Sequence, residues 1–364
     1  MNEKIAQADA GVDKLFMDGT KLNRHLDEVV KWQKGEWFAP IHMEISLANV
    51  CNQKCTFCYT AWAHGKNMMS EDMVCDLIRE GKHLGMKSAL IAGEGEPTAN
   101  PAYVKAIETA GEVGLDMALN TNAVNLTEDA LYRILPHLSW TRFSVQGSNK
   151  ERYAAIHQVP DHHFDKAMSN IRRAAEIKKE LDLDVTLGMQ QVLIKENGED
   201  VYNTAELAKS LGCDYYVIKP CHPHGNTEFE TISNLVSMHK ETLDRVASLE
   251  DKSFRAIVRW NFLAEAEQHR SYDKCLGLPF IIQIMSDGRI MTCYPQADHP
   301  EHCYGSLEDS GLEDILKSEK FGCTSNWVKE NVDVHQCMPT CRQHNANKYL
   351  WWLAEEKPSH FNFI

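Results

Sequence analysis

The chain has 364 residues, 43% of them hydrophobic, which allows one large core plus a smaller one and excludes a disordered chain. A formal net charge of -14 removes the counterion-release drive toward polyphosphate, so long nucleic acid is a poor partner. No run of about 18 apolar residues exists, and Met1 to Asp18 lacks a signal-peptide apolar core, so a cytosolic protein with no membrane span is expected.

Residues 1–40 read as an N-terminal extension. Leu22, Leu26 and Val29 share one face of a short helix there, with Trp32, Trp37 and Phe38 packing it on the main body. From Ile41, strand and helix patterns alternate. A first strand, 41–47, runs into Cys51, and Ser70 caps a helix with Val74, Leu77 and Ile78 inward. Strands follow at 88–92, 117–119, 142–145, 185–193 and 215–219, with helices between them opened by Pro101 and Thr127 and further ones near 164–180 and 201–211. This predicts an α/β fold: a partial (β/α)6 barrel of parallel strands, its site at the C-terminal strand ends. Beyond Pro220 the rhythm changes. A helix near 235–249 leads into a small cysteine-rich α+β domain, where Ser286-Asp287-Gly288-Arg289 signals a hairpin and helices follow near 312–320 and 343–354. The expected divisions are 1–40, a core at 41–232, a helical linker at 233–270 and the C-terminal domain at 271–364.

The chemistry-bearing pattern is Cys51-x3-Cys55-x2-Cys58, directly after the first strand. In a reducing compartment such spacing points to metal ligation. Three thiolates on one loop hold three corners of an iron–sulfur cubane and leave the fourth iron open, as a catalytic site requires. A structural zinc would need a fourth ligand, and the nearby candidate is His64. Glu94-Gly95-Glu96-Pro97 follows the second strand. Gly95 permits close backbone approach, and Glu96 suits a cationic group; taken alone, the segment also reads as a charged turn. Asn120-Thr121-Asn122 ends the third strand and Ser144 lies on the fourth. Of Gln190 and Gln191 on the fifth, alternation turns one outward, and Gln191 is assigned to the pocket.

In this order the motifs resemble the radical S-adenosylmethionine (SAM) superfamily over roughly residues 41–220, with Glu94 standing where the family's motif has its first glycine. The resemblance implies that SAM chelates the open iron of a [4Fe–4S] cluster on Cys51, Cys55 and Cys58. Reductive cleavage would then give a 5′-deoxyadenosyl radical that abstracts hydrogen from substrate. It further implies that Glu94, Gly95 and Glu96 receive the SAM ammonium, and that Asn120, Asn122 and Ser144 meet its carboxylate and ribose, with Gln191 on the same pocket. Phe57 and Tyr59 would lie near adenine, and a flavodoxin or ferredoxin would supply the electron.

Cys275, Gly288, Cys293 and Cys337-x3-Cys341 resemble the start of a SPASM domain or its truncated twitch form. The resemblance implies one auxiliary [4Fe–4S] cluster on Cys275, Cys293, Cys337 and Cys341, with zinc on the same four as the alternative. Cys303 and Cys323 do not fit the spacing of a second auxiliary cluster. Cys75 and Cys213 read as inert buried thiols, and His335 and His344 as packing or surface residues.

The sixth strand ends in Lys219, Cys221, His222 and His224. Lys219 suits an anionic or hydroxylated substrate, Cys221 can donate a hydrogen atom, and the histidines can act as bases; a Pro-rich exit loop is the plainer reading. The tail, 349–353 and 360–364, resembles that of radical SAM proteins encoded beside glycan and small-metabolite genes. The expected activity is therefore oxidation, epimerisation or isomerisation of a small polar molecule such as a sugar, aminocyclitol or nucleotide derivative. A peptide-modifying SPASM enzyme ranks lower, because only about 40 residues precede the core. A non-enzymatic Fe–S electron carrier is the third possibility.

Overall fold

The alternation from Ile41 onward becomes six parallel strands in a computed structural model that describes residue 15 and residues 19–221, 231–260, 263, 269–338, 341–356 and 359–363. They are β1 (His42–Ser46), β2 (Ser88–Ala92), β3 (Asp116–Thr121), β4 (Leu138–Ser144), β5 (Thr186–Leu193) and β6 (Tyr215–Pro220). Each pairs in parallel with the next in sequence. A further strand, β7 (Arg255–Val258), adds in parallel to β6, inside the stretch expected to be a helical linker. On the other edge β8 (Ile281–Ile284) pairs in parallel with β1, and β9 (Arg289–Met291) and β10 (Cys303–Ser306) continue antiparallel. The result is one ten-stranded sheet in the order β10-β9-β8-β1-β2-β3-β4-β5-β6-β7, so the C-terminal hairpin is fused to the barrel edge. His222 and His224 lie outside the described residues.

The intervening helices are α2 (Glu71–Leu84), α3 (Ala102–Val113), α4 (Glu128–Ile134), α5 (Lys150–His157), α6 (His162–Glu180) and α7 (Val201–Ser210), after α1 (Leu26–Lys34) near the N-terminus. The Ser70 hydroxyl accepts from the Met73 amide at 3.2 Å and Thr127 from Ala130 at 3.2 Å, the caps read from sequence. Beyond β6 come α8 (Ile232–Val246), α9 (Leu312–Lys317), α10 (Glu319–Asn331) and α11 (His344–Ala354).

Strand parity divides the sheet chemically. Met43, Ile45, Ile91, Leu119, Phe143, Leu187, Met189, Tyr216 and Ile218 are essentially inaccessible and belong to the main core with the helices. Each such burial contributes about 1.5–3 kcal/mol. The alternate residues, including Glu44, Asn120, Arg142, Ser144, Gln190 and Lys219, therefore face the barrel interior. The N-terminal segment packs through Leu22, Val29 of α1 and Phe38 on Leu276, Phe280 and Leu350, with the Phe38 and Phe280 rings 4.9 Å apart. Leu26 departs from the expected face: it is 56% exposed. No helix among the described residues is long and apolar enough to cross a membrane.

Candidate active site

The loop from Cys51 to Cys58 is clamped from two sides. The Gly95 amide donates to the Ala48 carbonyl at 2.9 Å and the Glu96 amide to Val50 at 2.9 Å, while the Lys54 and Thr56 amides donate to the last turn of α5, at His157 and Ile156, both at 3.0 Å. Gly95 is required by this approach, because a Cβ there would stand 2.3 Å from the Val50 carbonyl oxygen. Asn122 ties the loop to β3 through Asn52 at 2.6 Å, and Gln53 donates to Tyr153 at 2.9 Å.

The three thiols sit half-buried. Cys55 Sγ is 3.2 Å from His157 Nδ1, and Cys58 Sγ is 3.3 Å from Thr60 Oγ1 and 3.8 Å from His64 Nε2. Burial pushes Cys51 up to about 12 and raises Cys55 as well, and neighbouring thiols add to both. Burial also pushes on Cys58, but hydrogen bonds with His64 and Thr60 outweigh it and hold that thiol below its ordinary value. Three thiols gathered on one half-buried loop suit an iron–sulfur cluster, whose cationic iron would hold all three as thiolates, including the two that burial keeps protonated. Among the described residues no three Cys, His, Asp or Glu side chains stand close enough to share one ion; a cubane gives each thiolate its own iron.

The residues assigned to SAM separate into two groups. Asn120 lies on the inward face of β3 with its Oδ1 buried and without a hydrogen-bond partner, a position that calls for a ligand donor. Ser144 stands half-buried on the inward face of β4, in register with Gln190. Glu94, Glu96 and Asn122, by contrast, are engaged within the protein. The Glu96 carboxylate accepts from Thr98 N at 3.0 Å, Thr98 Oγ1 at 2.6 Å, Thr121 Oγ1 at 2.6 Å and Asn122 N at 2.8 Å. The Glu94 carboxylate accepts from the Ser286 amide of the C-terminal hairpin at 2.7 Å. These side chains brace the segment within the protein.

Gln191 is a correction. Its Oε1 accepts from Tyr216 at 2.6 Å and its Nε2 donates to the Asn197 carbonyl, both on the helix side of the sheet. Gln190 is the inward member and lies 3.4 Å from Arg142 Nη1. Phe57 packs with Ile156, Val192, Ile194 and Cys221, which brings the cluster loop against the end of β6. Tyr59 is 39% exposed, with Glu44 and Arg342 as its nearby charges.

The four C-terminal cysteines converge. Burial pushes Cys293 up to about 12 and raises Cys275, and both feel Cys341 and Cys337. The β8–β9 turn closes with the Gly288 amide on the Met285 carbonyl at 2.9 Å, as its sequence predicts. Asn347 on α11 accepts from the Leu276 and Gly277 amides, each at 2.7 Å, and its Nδ2 is 3.6 Å from Cys275 Sγ. Arg270 donates to the carbonyls of Val334, Cys337 and Met338, fixing the other pair.

Residues 45–208 match the family model of the radical SAM superfamily, and residues 275–343 match that of the SPASM iron–sulfur cluster-binding domain. This chain is a radical SAM protein with a SPASM domain. It is 24% identical over 290 residues to a probable GTP 3',8-cyclase of Saccharolobus islandicus, covering 77% of this chain and 91% of the relative. A probable GTP 3',8-cyclase of Thermococcus kodakarensis is 23% identical over 303 residues, covering 79% and 92%. In fold it resembles Streptococcus suis SuiB bound to S-adenosylmethionine, with a TM-score of 0.64, 17% identity and coverage of 86% of this chain and 75% of the other. It also resembles anSMEcpe with bound AdoMet, with a TM-score of 0.56, 16% identity and coverage of 85% and 88%. The cofactors of this radical SAM enzyme are SAM, a catalytic [4Fe–4S] cluster and an auxiliary Fe–S cluster.

Sequence reasoning missed a charged set inside the radical SAM barrel. Arg342, the residue after Cys341, pairs with Glu44 of β1 at 2.5 Å and lies 3.1 Å from His42. The other Glu44 oxygen accepts from Gln283 of β8 at 3.0 Å. Arg142, Arg259 and Tyr215 also face inward, and strand parity was the signal that would have found all but Arg342 and Arg259. A cavity of about 610 Å³ opens at the N-terminal strand ends, away from the cysteines, and reaches up to Arg142 and Arg259.

Proposed function

We propose that this enzyme abstracts hydrogen from a small polar molecule held inside the barrel, and that the molecule leaves oxidised, epimerised or isomerised. On this reading Cys51, Cys55 and Cys58 hold the catalytic cluster, while Cys275, Cys293, Cys337 and Cys341 hold the auxiliary one. The observation that carries the reading is the polar, charged inward face that links the two cysteine sets, through Glu44, Gln190, Lys219 and Arg342. When bound, SAM and the reduced cluster supply the hydrogen-abstracting radical, with a flavodoxin or ferredoxin as electron donor.

The protein's own groups do the rest. Asn120 Oδ1 and Gln283 Oε1, both buried without a hydrogen-bond partner, accept from the ligands' donors. Lys219 positions substrate. For epimerisation, Cys221, packed beside Phe57, donates a hydrogen atom to the substrate carbon radical, and the resulting thiyl would be restored by an electron that the auxiliary cluster would supply and a proton from solvent. The archaeal relatives are named for GTP, which favours a nucleotide or a related molecule. SuiB has also been solved with its precursor peptide SuiA, but that likeness concerns fold. The test is deuterium transfer into 5′-deoxyadenosine from a labelled panel of nucleotides, sugars and peptides. Transfer from one small polar molecule is expected. Transfer from a peptide alone would overturn the reading.

A further inference from the structure

We infer that the barrel grips a phosphate-bearing substrate by its anionic group, with Lys219, Arg259 and Arg142 as the binding residues. The inference rests on the barrel interior being the substrate chamber. Lys219 is near the end of β6 and Arg259 directly follows β7. The register pairs Val217 with Ile257 and Ile218 with Val258, which places Lys219 and Arg259 side by side on the inward face. Like charges in such positions repel. Arg142 approaches from β4. Its Nε donates to the Tyr215 hydroxyl at 3.0 Å, and its guanidinium lies 4.8 Å from the Trp140 ring centroid. Gly188, between Arg142 and Tyr215 in the register, makes room for this, since a Cβ there would meet the Tyr215 ring at 2.1 Å.

Among the described residues none of these three cations has a carboxylate within ion-pair distance. The charged and titratable groups around Lys219 are Arg142, Arg259, Arg342, the Cys221 thiol and Glu44. Glu44 is already engaged by Arg342 at 2.5 Å and Gln283 at 3.0 Å. Burial first, and then the neighbouring cations, together lower Lys219 to about 8 and Arg259 to about 10.

An acidic chain, net -14, thus gathers three cations in its interior that no carboxylate pairs among the described residues. Grouped cations without a counter-ion destabilise a fold unless an anion joins them. A phosphate matches the set, because its several oxygens accept from an ammonium and two guanidinium forks at once.

The test is calorimetric titration of inorganic pyrophosphate into the anaerobically reconstituted holoprotein with SAM present. Lys219→Gln and Arg259→Gln are the interior variants, and Lys240→Gln, on the surface of α8, is the charge control. The wild type should bind saturably. Each interior variant should bind at least about tenfold more weakly, with the control and SAM affinity unchanged. Adenosine monophosphate and glucose 1-phosphate, run as further arms, identify whether a nucleotide or a sugar phosphate supplies the anion, and tighter binding of either supports the site. No saturable binding, or equal binding by the interior variants, would overturn the anion site. SAM cleavage measured on the same samples separates the two readings: cleavage without anion binding removes the anion site alone, and absent wild-type cleavage removes the chamber reading beneath it.

Discussion

Replacing Lys219 with methionine should stabilise the ligand-free protein while removing its anion affinity. A lysine whose pKa drops from 10.5 to about 8, through burial first and then Arg142, Arg259 and Arg342, destabilises the fold in its charged form. The difference corresponds to about 3 kcal/mol. The sign follows from the proton count. Below pH 8 both folded and unfolded chains carry the proton and the full penalty applies. Between pH 8 and 10.5 the folded chain releases it first, so wild-type stability from this group rises with pH. Methionine fills similar volume without the charge, so the variant should melt about 2–5 °C above wild type at pH 7. The gap should narrow by pH 9.5. Adding pyrophosphate at pH 7 should raise the wild-type midpoint and leave the variant unmoved. The assay is thermal unfolding of anaerobic holoprotein at both pH values. A variant that melts lower than wild type at pH 7 would show that Lys219 is compensated and refute the reasoning.

The strand-parity correction gives a paired test. Gln191→Ala breaks the bonds to Tyr216 and Asn197 and should lose about 1–3 kcal/mol of stability in urea unfolding while SAM cleavage persists; Gln190→Ala should do the reverse, and identical behaviour of the two would reject the assignment. Gly95→Ala forces Val50 away and should weaken SAM binding at least about tenfold, read by equilibrium dialysis on holoprotein, whereas unchanged affinity would show that the loop yields freely. For an epimerising enzyme, Cys221→Ala should leave hydrogen abstraction from substrate intact and stop solvent deuterium entering product at carbon during turnover in deuterium oxide. Wild-type incorporation in that variant would reject Cys221 as donor.

The cysteine spacings carried most of what was legible in the sequence, because three ligands within one short loop must meet whatever the rest of the chain does. Six parallel strands were legible for a related reason: helix and strand periods alternate cleanly from Ile41 to Lys219. The fold beyond them was not. Strand β7 has four residues, Arg255 to Val258, too few to show a period, and only its pairing with β6 makes it a strand. The Glu44–Arg342 pair joins positions that no local pattern connects. Gln190 and Gln191 are chemically identical neighbours, so the choice between them depended on a register that outward-facing Met189 fixes in the folded sheet. Glu96 suited a cation by type. In the folded loop, burial raises its pKa and four protein donors take up its carboxylate.

The central claim is that two separate cysteine sets hold two clusters and that the first one cleaves SAM. Iron content and 5′-deoxyadenosine formation, measured on anaerobically reconstituted wild type and on the Cys51→Ala, Cys55→Ala, Cys58→Ala triple variant, test it most directly. The wild type should carry about eight irons, and the variant should keep about four and form no 5′-deoxyadenosine. SAM cleavage by the triple variant, or zinc in place of the remaining four irons, would contradict the account.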